Sequence, residues 1–334
     1  MFRLDKKLAK IRSGNYAQGD FIIADAKDGD MSNPIPGTGP IRDAHGSFAR
    51  YRTRAEFLDV ITQIVRQDQL DIMLVSASNL QLLTEAGAFK GSAVKPAFRA
   101  NDTTDIWGAR PNGYGKLGPS RPFRTVNLKD VAKAGLSDLG LYSITFVNDV
   151  EADLRSLEAF SDFREDAAAN GINYFLEVFN PNVESGIPAE SIGQFVNDNL
   201  ARCLSGVLKA KRPQFLKYPY NGPKALEELV SFDPQLVVGV LGGGAGTNRD
   251  TFELIHQAEK YGARVALFGR KINLAESQLD IVHHMRLVAD GAIRPLEAVR
   301  AYHAILKQKG IAAVRSIEDD SKVTEAVLKE AAST

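Results

Sequence analysis

The chain has 334 residues, 44% hydrophobic and 25% charged, an ordinary balance for a soluble folded protein and enough length for one α/β barrel with additions. Lys and Arg total 41 against 41 Asp and Glu, so no basic excess points to nucleic acid or to an anionic membrane, and neither is expected as a partner. The single cysteine, Cys203, excludes an internal disulfide and a cysteine-built zinc site.

The opening MFRLDKKLAKIRSG is charged and lacks the apolar core of a secretory signal. No apolar run reaches the roughly 18 residues of a membrane span, so a cytoplasmic location is expected. Residues 1–20 read as an amphipathic entry segment and residues 21–26 (FIIADA) as the first strand, with Asp25 near its end. A Gly- and Pro-rich loop to about residue 53 leads into a helix whose apolar residues recur at helical spacing over 55–65. The second strand is IMLV at 72–75, and a helix starts after Asn79. The third strand, near 94–100, ends at Asn101 and Asp102. A second polar loop over 103–125 and a short helix from Leu128 precede the fourth strand, LYSITFV at 141–147. A helix over about 151–169 closes at Gly171, and NYFLEVF at 173–179 is the fifth strand. A helix over about 188–211 leads to the sixth, where Phe215 and Leu216 run into Lys217 and Pro219 stops the strand. QLVVGVL at 235–241 is the seventh strand and runs into the glycine run Gly242, Gly243, Gly244, Ala245, Gly246. RVALF at 264–268 is the eighth, followed by Gly269 and Arg270. Two more helices and a polar tail over 311–334 complete the chain.

Eight apolar strands alternating with helices predict a parallel sheet, and eight repeats predict one closed (β/α)8 barrel spanning the chain. An open doubly wound sheet would carry its glycine-rich turn after the first strand; here the glycines follow the seventh.

Lys217 is the unusual residue. An ammonium in an apolar strand pays a desolvation penalty, which favours the free amine a Schiff-base nucleophile needs. The C-terminal strand ends of such a barrel form its catalytic face. Strand parity that turns Lys217 inward also turns Glu177 inward, and is expected to turn Asp25 inward, bringing all three together at the mouth. The cluster reads either as a nucleophilic amine with proton-transferring carboxylates or as a buried ion pair that holds the barrel together. Gly243 and Gly244 after the seventh strand and Gly269 and Arg270 after the eighth form turns suited to an anion, phosphate above all, and Lys27 past the first strand is a further substrate contact. The arginines of the two long loops, among them Arg42, Arg50, Arg52, Arg110 and Arg124, suit planar anions or a solvated surface equally. Of the five histidines only His45 falls outside predicted helices, so neither a catalytic metal nor another cofactor is expected.

These residues also resemble a family. From about Tyr174 to Leu306 the chain is similar to the Schiff-base (class I) aldolases of the archaeal-type fructose-bisphosphate, tagatose-bisphosphate and deoxyribose-phosphate group. FLE at 175–177 resembles the strand-five motif of the tagatose type, FLKYPY at 215–220 the strand bearing the imine lysine, and LGGG at 241–244 with FGR at 268–270 the phosphate-binding turns. Ala24 and Asp25 resemble the start of the first loop, although Ala26 and Lys27 follow where the tagatose type has Gln-Arg-Gly. Phe179 stands near where the archaeal type places a tyrosine. The resemblance implies a metal-independent aldolase in which Lys217 forms an iminium, Glu177 moves protons and Asp25 orients the lysine or a substrate hydroxyl. It further implies a phosphorylated ketose as substrate and a homo-oligomer. A sugar-phosphate-binding barrel without catalysis, and an epimerase or isomerase using the carboxylates alone, are the alternatives.

Overall fold

Eight parallel strands close into a barrel in the computed structural model of the chain, which describes residues 1–244 and 246–332 and gives Asn112 by its backbone alone. The strands are β1 Ile22–Lys27, β2 Ile72–Val75, β3 Lys95–Arg99, β4 Leu139–Thr145, β5 Asn173–Phe179, β6 Leu216–Tyr218, β7 Val238–Leu241 and β8 Val265–Phe268. Each pairs with the next, and β8 returns to β1 through the register Ile22↔Val265 to Asp25↔Phe268. This is the predicted (β/α)8 architecture.

The strands are apolar on both faces because both faces are covered. Ile22, Ala24, Leu74, Leu141, Phe175, Phe215 and Leu267 fill the barrel interior. Ile23, Met73, Tyr142, Leu176, Leu216 and Tyr218 pack outward in the larger cluster shared with the helices. Helix Arg3–Arg12 closes the N-terminal end of the barrel. Its Leu4 and Leu8, one turn apart, join the interior cluster. Lys7 on the same helix reaches the Phe21 carbonyl at 2.8 Å and Asp71.

Several local expectations shift. β4 begins at Leu139 and ends at Thr145, two residues ahead of the predicted strand. The helix expected over 188–211 is confined to Ile192–Ser205, with short helical turns before it at Ala189–Ser191 and after it at Lys209–Lys211. The loop after β1 contains the ribbon Pro40–Arg42 and Phe48–Tyr51, and the loop after β3 contains Asp102–Thr103 paired with Pro122–Phe123. The tail forms helical turns at Ile317–Asp320 and Ala326–Lys329, with Leu328 fully buried. Among the described residues no helix is long and apolar enough to cross a membrane.

Candidate active site

Lys217 and Glu177 are register partners on β6 and β5. Both point into the barrel one layer above the stacked rings of Phe175 and Phe215, whose centroids are 4.6 Å apart. Lys217 Nζ forms a direct ion pair with Glu177 Oε1. The other oxygen, Oε2, accepts from Ser143 Oγ at 2.6 Å. Ser143 faces Glu177 from β4 in the same register. The lysine is therefore buried, as its apolar strand suggests, but a carboxylate meets it there.

A third ionic group enters from β3. Arg99 is 4% exposed and spans the mouth. Nη1 donates to Asp28 Oδ2 at 2.7 Å, Nη2 to Ser143 Oγ at 2.9 Å, and Nε to the Asn101 carbonyl at 2.8 Å. Glu177 Oε2 and Asp102 Oδ1 lie 3.6 and 3.5 Å from Nη2. Burial works against the charged guanidinium, yet the charges of Asp28, Asp102 and Glu177 outweigh it and hold Arg99 above its ordinary range. Burial raises the Asp102 carboxyl to about 6, with Arg99 opposing the rise. Asn101 locks the layer by exchanging two bonds with the Ser143 backbone, at 2.6 and 2.8 Å. The loop after β3 is stapled over the mouth where Thr145 Oγ1 donates to Asp105 at 2.7 Å.

Asp25 lies elsewhere, and this corrects the predicted triad. Ile22 and Ala24 occupy the interior face of β1, so Ile23 and Asp25 face outward. Asp25 pairs with Lys27 at 3.3 Å, both fully buried, and Lys27 donates to Gln278 on the helix outside the barrel at 2.7 Å. Lys27 is thus sealed between sheet and helix, and the structure does not bring it to the site as a substrate contact. Burial raises Asp25 to about 6 and lowers Lys27. The acidic residue that β1 delivers to the mouth is Asp28, just past the strand end. Arg99, Asp28, Ser143 and Asp102 were missed by the sequence reading. Arg99 had carried a signal, being a cation inside an apolar strand like Lys217.

The glycine turns stand where predicted, after β7 and β8. Gly243 takes φ 65°, a left-handed value suited to glycine, and its carbonyl accepts from Arg270 Nη2 at 3.0 Å. A side chain at Gly269 would meet the Ala26 carbonyl at 2.8 Å. Ala245 of the glycine run lies outside the described residues. The turns also meet a residue with no sequence signal: the carboxylate of Glu325, from the tail, sits 3.2 Å from where a side chain on Gly243 would begin and 4.0 Å from that point on Gly244. Of the arginines in and beside the long loops, Arg50 pairs with Glu56, Arg54 with Asn79 and Arg124 with Asp166. Trp107 stacks on Tyr114 at 4.4 Å, inside the second long loop.

No protein-family profile matches the chain, and no curated protein matches it in sequence. Solved structures do match its fold. A crystal structure of an archaeal fructose 1,6-bisphosphate aldolase aligns at a TM-score of 0.61 and 14% identity, over 86% of this chain and 99% of that one. A fructose-bisphosphate aldolase from Slackia heliotrinireducens aligns at 0.63 and 12%, over 91% and 90%. A Corynebacterium glutamicum protein aligns at 0.59 and 16%, over 86% and 94%. The chain therefore has the barrel fold found in Schiff-base aldolases.

Proposed function

We propose that this protein is a metal-independent Schiff-base lyase that cleaves or forms a carbon–carbon bond in a ketose. The observation that carries the reading is the Lys217–Glu177 ion pair, on the interior face at the catalytic end of a barrel. Glu177 takes a proton from Lys217, and the freed amine attacks the ketone carbon. The carbinolamine oxygen leaves as water with a proton returned by Glu177, giving an iminium. A carboxylate then removes the substrate hydroxyl proton, the carbon–carbon bond breaks, and its electrons enter the enamine. Protonation of the enamine and hydrolysis release the second product and restore Lys217. Arg99 keeps Glu177 and Asp28 in fixed positions, so the proton carriers need little reorganisation. The glycine turns and Arg270 suit a phosphate on the ketose, which supports a phosphorylated substrate.

Borohydride reduction in the presence of dihydroxyacetone phosphate, followed by peptide mass mapping, tests this reading. One adduct, on Lys217, is expected. An adduct on Lys27 or Lys271, or none on the protein, overturns it.

A further inference from the structure

The turns after β7 and β8, read above as the phosphate end of the site, already meet an anion supplied by the chain itself. Glu325 extends its carboxylate to Gly243 and Gly244, and its Oε1 lies 3.3 Å from Lys271 Nζ. Lys271 is 8% exposed, so its charge is directed into this corner and away from bulk water. Arg270 reaches Gly243 from the other side. A cleft of about 120 Å³ opens beside them, with Arg42, Arg270, Lys271 and Arg315 on its wall. Four cations against one carboxylate, Glu276, around so small a space favour a compact anion.

The tail backbone that carries Glu325 is firmly docked. Asp250 accepts from the backbone N–H groups of Thr324, at 2.7 Å, and Glu325, at 3.1 Å. Thr247 Oγ1 donates to the Lys322 carbonyl at 2.7 Å, and Asp320 accepts from Asn248. Leu328 is fully buried just beyond. The Glu325 side chain itself is 23% exposed, so it can rotate towards water while the backbone stays in place.

We propose that Glu325 is an internal competitor that a substrate phosphate must displace from Lys271 before it can occupy the corner. The inference rests on the reading of these turns as the phosphate end of the site. A carboxylate and a phosphate cannot share one ammonium without like-charge repulsion, so the affinity for phosphate is that of an exchange. Glu325 thereby weakens the hold on a phosphorylated substrate or product and speeds its departure.

Calorimetric titration with inorganic phosphate tests this on the full chain, comparing wild type with Glu325→Gln. The glutamine keeps the size of the side chain and removes its charge. The variant is expected to bind phosphate at least about tenfold more tightly, and Lys271→Met in the same background is expected to abolish the gain. Equal affinity in wild type and Glu325→Gln, or no binding by either, overturns the proposal. The titration does not involve Lys217. Absence of a borohydride adduct alongside a tenfold gain would overturn the Schiff-base reading alone; an adduct on Lys217 without the gain would overturn the role of Glu325 alone.

Discussion

Lys217 with Glu177 and Lys27 with Asp25 are two buried lysine–carboxylate pairs in one barrel, on opposite faces of its sheet. The outward pair is fully buried, and its lysine is tied to Gln278 on a covering helix. The inward pair stands at the open end of the barrel, joined to Ser143, Arg99, Asp28 and Asp102. Residue type and burial are nearly the same, so neither identifies chemistry. Asp28 and Arg52 also act on the outward pair, but a covering helix seals it and it serves packing, whereas the inward pair, hydrogen-bonded into a network at a strand end, can serve catalysis.

The comparison breaks most sharply at Glu177. Glu177→Gln is expected to lower kcat by a factor on the order of 10² to 10⁴, the usual worth of a positioned proton carrier. Slow borohydride trapping on Lys217 should persist, because the amine remains. Asp25→Asn should leave kcat within a fewfold of wild type; equal losses in the two variants would erase the distinction.

Stability should respond in the opposite sense. Lys27→Ala leaves Asp25 as a buried carboxylate without its partner and is expected to cost about 3–5 kcal/mol in urea unfolding. The double variant Lys27→Met with Asp25→Leu should recover most of that loss. A Lys27→Ala protein as stable as wild type would mean that the outward pair contributes nothing.

Arg270→Ala should raise KM for a phosphorylated ketose by an amount equivalent to about 1.5–3 kcal/mol, the range of a charge-assisted bond. An unchanged KM would move the phosphate to the long-loop arginines.

The smallest effect is a pH dependence. Burial raises both Asp25 and Asp102 to about 6 in the folded chain. An unfolded aspartate titrates near about 4, so between those values the folded state holds protons that the unfolded state has released. The stabilising contribution of both groups is complete below about pH 4 and is lost as the pH rises to about 6. Asp25→Asn should flatten part of this slope in denaturation midpoints without moving the pH profile of turnover. Asp102→Asn should change both, since Asp102 lies beside Arg99.

The architecture was legible in the sequence because alternating apolar strands and amphipathic helices leave few ways to bury both strand faces. Lys217, Glu177 and the turns at Gly243, Gly244, Gly269 and Arg270 were legible for a related reason: a charge or a glycine at the end of an apolar strand breaks the local pattern. Which face each residue of β1 occupies was not. All six of its residues, from Ile22 to Lys27, are buried or nearly so, and such a strand carries no alternation from which parity can be read. Only the closed barrel, by placing Ala24 inside, turned Asp25 and Lys27 outward and left Asp28 to meet Arg99. Glu325 was beyond reach for a different reason. It is separated by more than fifty residues from Lys271, and no local periodicity encodes where a docked tail returns across a barrel. Sequence alone determined the order of strands and helices and the presence of a lysine in an apolar strand; the tertiary structure decided which charges share a face, because contact between distant strands depends on register and closure rather than on spacing along the chain.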